Sequence, residues 1–272
     1  MTTRVDMGLS AVIEEMARHG AAGFEWWKDS CLVRRIEIRM RARNVESLFS
    51  YAALLRDDPG EVDRLLHTIS VRVTGFFRNP DSWRALQNLL EVERVGARGR
   101  IIAWSMGCST GEEAWTLAML LTDYAVRAGT PPPERIMVQA SELDRQAVAA
   151  AQAGQYQPAV TVAIREVLPR HYGTIHDGHF EVEPALRPRV GFRREDLTTL
   201  DAAPLESCDL ICCRNLLIFL GREGQRRVLD AAFRALRPGG LLMLGRTESL
   251  VALPEPRLVP IDVIHRIYRR AQ

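Results

Sequence analysis

The stretch "WSMGCSTGEEAW" (residues 104–115) decides the fold, because it joins an apolar run to a helix-like segment through a loop with two glycines. Junctions of strand, loop and helix are where nucleotide-type ligands dock in doubly wound α/β sheets. Loop 107–111 reads Gly107, Cys108, Ser109, Thr110, Gly111, which is G-x-x-x-G and lacks both G-x-G-x-x-G and the Gly-Lys-Ser/Thr of a phosphate cradle. A helix start attracts phosphate through its free N–H groups, but Glu112 and Glu113 in the first turn repel it. The ligand expected here is neutral or cationic; dipole capping of the helix is the other use for the two acids.

Working outward, "RIIAWSM" (100–106), "RIMVQASE" (135–142), "CDLICCRN" (208–215) and "GLLMLGR" (240–246) are short and continuously apolar, as buried parallel strands are. The helical patterns "EEAWTLAMLLTDYAVRAG", "DRQAVAAAQAG" and "GREGQRRVLDAAFRALRPGG" lie between them, each ending in a glycine of the capping kind. This alternation predicts a doubly wound α/β sheet over 76–272, with ligands at the carboxyl ends of its strands. The stretch 165–195 breaks the rhythm: hairpin-like turns at "HDGH" and "EPALRP" predict a small irregular or antiparallel β insertion.

Residues 1–75 carry helical periodicity and no strand, which predicts a separate all-α domain. In "CLVRRIEIRMRARNV", Leu32, Ile36 and Met40 form a buried stripe, and Arg35, Arg39 and Arg43 form a neighbouring exposed one, making 34–43 a strongly basic helix. Asn44 and "DDPGEVD" (57–63) read as helix stop and restart, with Pro59 near a first helical position.

With 272 residues, 47% of them hydrophobic, the chain can bury a full core. No signal-peptide pattern and no run of about 18 apolar residues occur, so a soluble cytoplasmic protein without membrane insertion is expected. Cys31, Cys108, Cys208, Cys212 and Cys213 show no metal-ligand spacing, so neither a disulfide framework nor a metal site is expected. Net charge is +2, which gives no field toward nucleic acid. Lys28 is the only lysine among 36 basic residues, a bias that fits codon usage and is no binding signal by itself.

S-adenosylmethionine meets the demand of the loop, since it carries an ammonium and a sulfonium and no phosphate. A carboxylate beside the loop can hold the ammonium, and an acid after the second strand can hold the ribose hydroxyls. Glu142, in "ASELD", stands in that second place, 31 residues after Gly111 and so looser than the roughly 20 of a dinucleotide site.

Six segments then converge: "VTGFFRNP" (73–80), "AWSMGCSTGEEAWTLAMLL" (103–121), "ASELDRQAVAAAQAGQY" (140–156), "VGFRREDL" (190–197), "CDLICCRNLLIFL" (208–220) and "LRPGGLLMLGRTESL" (236–250). In this order, and with "WWKDSCLVRRIEIRMR" before them, the chain resembles the CheR-type chemotaxis receptor methyltransferases over nearly its whole length. The resemblance implies a Rossmann-like S-adenosylmethionine-dependent domain behind an all-α domain. It also implies methylation of glutamate side chains on the cytoplasmic helices of methyl-accepting chemoreceptors, with S-adenosylhomocysteine as product. By the same match Thr74 and Arg78 of T-x-F-F-R fold over the cofactor, with Arg78 nearest the reacting methyl. Arg72, which stands where the family has asparagine, is counted with the cofactor-binding residues, Gly107 belongs to the cofactor loop, and Glu113 takes the amino-acid part. Glu142 takes the ribose, Asp196 and Leu197 lie near the adenine, and Arg214 and Asn215 complete the pocket.

A glutamate carboxyl titrates at about 4.3, so it is ionised at neutral pH and needs no general base; it needs alignment, which Arg78 is placed to supply. Phe76, Phe77, Trp104 and Trp115 read as packing residues, and Cys108, Cys212 and Cys213 as inert lining. The chain departs from the family where Phe219 replaces a tyrosine, where Glu142 replaces aspartate, and where Gly245, Arg246, Thr247, Glu248 replace G-H-S-E. The compact "HYGTIHDGHFEVE" predicts a β-subdomain without a peptide-tethering loop, which leaves recognition of receptor helices by a monomer to Arg35, Arg39 and Arg43. A diverged sensor or docking protein that binds the cofactor with little or no transfer is the second reading. The loop acids disfavour a third, a nicotinamide dehydrogenase.

Overall fold

The computed structural model describes residues 4–70, 73–129, 132–170, 172–200, 207–250 and 257–271. Arg72 lies outside the described residues. Four helices come first: α1 (Arg4–Arg18), α2 (Asp29–Ala42), α3 (Leu48–Asp57) and α4 (Pro59–Ile69). Ser47 caps α3 by accepting the Ser50 amide at 3.1 Å, and Pro59 opens α4, where a missing N–H leaves no helical bond unmade.

Leu32, Ile36 and Met40 turn inward and pack with Met16, Tyr51, Leu55 and Leu65. The arginine stripe beside them differs from expectation: Arg35, Arg39 and Arg43 are half-buried, not exposed. For two of them the cause is Glu61 of α4, which is fully buried. Its Oε1 accepts from Arg39 Nε (2.8 Å) and the Tyr51 hydroxyl (2.9 Å), and its Oε2 from Arg39 Nη2 (2.9 Å) and Arg43 Nη1 (3.1 Å). Burial alone would push the Glu61 carboxyl up, but hydrogen bonds from Arg39 and Tyr51 hold it below the ordinary range.

The chain continues through α5 (Pro80–Val92), β1 (Ile101–Met106), α6 (Glu112–Ala128), β2 (Ile136–Glu142), α7 (Arg145–Ala153) and β3 (Gln155–Tyr156). Then come α8 (Val160–Val167), β4 (Gly173–His176), β5 (His179–Val182), β6 (Val190–Arg194), β7 (Cys208–Cys213), α9 (Arg222–Ala235), β8 (Leu236–Leu244), β9 (Leu258–Asp262) and β10 (Ile267–Arg270). Among the described residues seven strands form one sheet in the order β6-β2-β1-β7-β8-β10-β9, of which the first five are parallel. Every residue of β1 and β7 is buried, as strands covered on both faces must be. From β1 the chain runs outward to β2 and β6, then returns to lay β7 on the other side of β1. That reversal opens a crevice at the carboxyl ends of β1 and β7, where doubly wound sheets bind ligands.

Three local readings are corrected, and one strand pair is added to them. The turn at Asp177 and Gly178 does close a hairpin of β4 and β5, joined by β3 into a small antiparallel sheet. "EPALRP", however, forms a 3-10 helix (Pro184–Arg189), and Val190–Arg194 leaves the insertion to pair with β2 at the edge of the main sheet. The glycines of "LRPGG" do not cap α9, which passes directly into β8 at Leu236. The antiparallel pair β9 and β10, which ends the sheet, carries no strong alternation and was not expected.

The helical region is fastened to the sheet by a short seam. Lys28 N donates to Phe219 O at 2.9 Å, Gly221 N donates to Trp26 O at 2.8 Å, and Lys28 Nζ donates to Ile218 O at 2.7 Å. No helix among the described residues is long and apolar enough to cross a membrane.

Candidate functional site

Gly107 follows β1 at φ 75°, and Gly111 precedes α6 at φ 94°. A Cβ on Gly111 would lie 2.6 Å from that of Ala151, so glycine is what lets α7 approach the loop. The amides of Gly107 and Cys108 both donate to Ser141 O, at 2.9 and 3.0 Å, which ties the loop to the end of β2.

The crevice has two lobes that share Gly107, Ser109 and Asn215. One is mainly apolar, walled by Trp27, Ile69, Leu143, Leu197, Leu216 and Phe219, with Glu142 and Asp196 at its edge. The other is polar, lined by Val73, Thr74, Arg78, Cys108, Glu113 and Arg214. Trp27, Ile69 and Ser70 come from the helical region, so that region supplies one wall of the first lobe.

In the polar lobe Glu113 Oε1 accepts from Ser105 Oγ at 2.8 Å, and its Oε2 lies 3.5 Å from Arg214 Nη1. Burial pushes the Glu113 carboxyl up, against the pull of Arg214 and Ser105. Arg214 has a side chain only 2% exposed; its Nη2 donates to Arg78 O at 2.7 Å and Asn79 Oδ1 at 3.2 Å, and its guanidinium lies over the Trp83 ring. It therefore stitches segment 73–80 to the end of β7. The Arg78 side chain donates to Val73 O at 2.6 Å and stays part-exposed at the mouth. Burial and the nearby Glu142 and Glu113 charges hold the Cys108 thiol well above its ordinary range, so it is a neutral wall.

At the other lobe Glu142 Oε2 accepts from Ser109 N at 2.9 Å, while Oε1 accepts from Leu143 N and Asp144 N at 2.9 and 3.0 Å. Asp196 Oδ1 accepts from the amide and hydroxyl of Thr198 at 2.8 and 2.6 Å. Burial raises both carboxyls. Asp196 Oδ2, Ser109 Oγ and Arg214 Nε are buried without a hydrogen-bond partner, and all three belong to residues that line the crevice. Three orphaned polar atoms on one groove fit a ligand with both donors and acceptors.

Of the residues singled out in the sequence, the crevice brings together Thr74, Arg78, Gly107, Glu113, Glu142, Asp196, Leu197, Arg214 and Asn215. Arg35, Arg39 and Arg43 line neither lobe. Sequence reasoning missed Trp27, Ile69 and Ser70, which no local pattern marks, and it missed the part played by Glu248. That buried carboxylate accepts from Asn215 N, Gly245 N and Leu217 N, each at 2.7 Å, and so fixes the backbone that follows β7. An acid placed four residues beyond an apolar strand was the available signal.

Residues 72–259 match the family described as CheR methyltransferase, SAM binding domain, and residues 24–70 match CheR methyltransferase, all-alpha domain. A 104.1 kDa protein of Rhodobacter capsulatus is 34% identical over 96% of this chain, which spans 27% of that relative's length. A chemotaxis protein methyltransferase of Listeria monocytogenes is 30% identical over 83% of each chain, and chemotaxis protein methyltransferase 1 of Pseudomonas aeruginosa is 29% identical over 81% of this chain and 82% of its own. A SAM-dependent methyltransferase from Thiobacillus denitrificans, solved with S-adenosyl-L-homocysteine, aligns over 61% of this chain and 47% of its own at 15% identity and a TM-score of 0.34. With the two matches together covering the helices and the sheet, the chain belongs to the CheR methyltransferase family and carries its S-adenosylmethionine-binding domain.

Proposed function

We propose that the protein methylates glutamate side-chain carboxylates on helical cytoplasmic segments of chemoreceptors. The observation that carries this reading is the make-up of the polar lobe. Among the described residues no histidine lines it, its thiol is held neutral, and Glu113 is engaged by Ser105 and Arg214. A lobe without a general base suits an acceptor that arrives already anionic, and a glutamate, titrating at about 4.3, does so at neutral pH.

When bound, S-adenosylmethionine supplies an electrophilic methyl group on a sulfonium. Glu113 is placed to hold its ammonium, Glu142 its ribose hydroxyls, and Asp196 and Leu197 its adenine edge, with Gly107, Thr74 and Asn215 completing the contact. Arg78, part-exposed at the mouth, grips and aligns the incoming carboxylate, a contribution of geometry and dehydration with no proton to move. The names of the Listeria and Pseudomonas relatives favour a chemoreceptor as the source of that carboxylate. The tight Asp177–Gly178 turn favours recognition without a peptide tether. Within the arginine stripe Arg35 is the residue left without an ion pair among the described residues, since Arg39 and Arg43 are committed to Glu61. Transfer of radioactive methyl to a base-labile ester on a purified chemoreceptor cytoplasmic fragment is the test. Cofactor binding without any transfer would instead favour a cofactor-binding docking protein.

A further inference from the structure

We propose that the carboxyl end of the sheet beyond the polar lobe, from Val73 across Arg246 to the β9–β10 turn, is a ledge that docks an amphipathic helix with an acidic face. The identity of that helix as the methyl acceptor rests on the reading above; the ledge itself rests on separate observations. Val73, at the lobe's rim, is 64% exposed, and at the turn Val263 and Ile264 are 64% and 74% exposed, a large apolar display for a turn. The turn is held in place: His265 N and Nδ1 lie 2.9 and 2.8 Å from Asp262 Oδ1 and Oδ2, and Leu244 N donates to Arg266 O at 3.0 Å. Both carboxylate oxygens of Asp262 are thereby engaged within the turn itself.

Just past the end of β8, the strand that lies between β7 and β10, stands Arg246, exposed and with no hydrogen bond or ion pair on its guanidinium among the described residues. Its position is fixed from below, because Glu248 Oε2 takes both Gly245 N and the amide of Asn215, a residue of both lobes. An unpaired cation together with exposed aliphatic groups suits a surface that alternates carboxylates with apolar side chains.

Spacing sets the size of the partner. β7, β8 and β10 are consecutive neighbours, so the turn lies two strand spacings, roughly 10 Å, from the end of β7. Residues two turns apart on one face of a helix are also separated by roughly 10 Å. A helix laid across the strand ends thus presents a glutamate to the lobe and, about seven residues away, an apolar side chain to Val263 and Ile264.

The test uses a fluorescent synthetic helix with glutamates along one face and a leucine seven residues from the central glutamate, titrated with the full chain by anisotropy. Val263→Ser with Ile264→Ser, all at exposed positions, should weaken binding about tenfold while cofactor binding by calorimetry stays unchanged. Arg246→Glu should weaken it further and flatten its salt dependence. Replacing the peptide leucine by serine should cost the wild type the same tenfold and the double variant nothing more. Equal binding by wild type and double variant, or no binding by wild type, overturns the ledge. Binding that is lost in the variants, without methyl transfer by the wild type, keeps the ledge and removes the transferase reading; transfer with an unchanged KM in the variants does the reverse.

Discussion

Glu248 Oε2 lies 2.7 Å from the amide nitrogen of Asn215, which holds φ at 60°, a left-handed conformation that asparagine tolerates without preferring. The same carboxylate takes two further amides, so three strand-end donors depend on one side chain. Glu248→Gln leaves one acceptor oxygen where two are used and sets an amide N–H against backbone N–H groups. Denaturant titration should record a loss of about 2–4 kcal/mol, since unpaired buried donors cost about 1–3 kcal/mol each. Cofactor affinity should fall with it, and a Glu248→Asp variant should recover part of both.

Glu113→Gln keeps the shape of the side chain and removes its charge. If Glu113 holds the cofactor's ammonium, calorimetry should find binding weakened by about 1.5–3 kcal/mol, the range of hydrogen bonds to charged groups. Unchanged affinity would take Glu113 out of that role and leave it a partner for Arg214.

Arg78→Ala should lower methyl transfer on the order of 10²-fold, the size of a small misplacement of reacting groups. Cofactor affinity should change much less, because the Arg78 guanidinium bonds to Val73 O at the mouth. A variant with wild-type turnover would exclude the aligning role.

The basic helix separates into two kinds of residue. Arg39→Glu places a second carboxylate against buried Glu61 and should cost about 3–5 kcal/mol, enough to read as unfolding of the helical region by circular dichroism. Arg35→Glu should leave the melting temperature nearly unchanged and raise KM for a receptor fragment. Only the second variant tests docking.

Acid should remove cofactor binding before it unfolds the helices. Burial raises the Glu113 carboxyl above its ordinary 4.5, so the ionised form that binds a cation is lost as pH falls through a value above 4.5. Glu61 has the opposite sign: its lowered carboxyl contributes stability that is full above 4.5 and is lost as pH falls through the lower folded value. The raised groups Glu113, Glu142 and Asp196 contribute stability that is full below their unfolded values and lost as pH rises through the folded ones. Parallel titrations by calorimetry and far-UV circular dichroism should give two separated midpoints.

The parallel core was legible because β1 and β7 are apolar at every position, a pattern that little else produces. The loop was legible because two acids at a helix start contradict a phosphate. Edge strands were harder: β6 is mostly solvent-facing, and in β9 exposed Val259 and Pro260 are followed by half-buried Ile261 and Asp262, so neither has a clean period of two. The arginine stripe misled for a different reason. Helical spacing identifies which residues share a face but not what faces them, and only the packing of α4 on α2 brings Glu61 to Arg39 and Arg43. Trp27, Ile69 and Ser70 reach the crevice through tertiary placement alone.

Lys28 sits at the seam with its ammonium exposed and bound to Ile218 O. Because it is the sole lysine of the 272 residues, an amine-directed fluorophore finds one side chain once the α-amino group is blocked, and that side chain marks the joint between helices and sheet. With Trp26 and Trp27 adjacent as quenchers, the brightness of a dye on Lys28 would report opening and closing of that joint in real time.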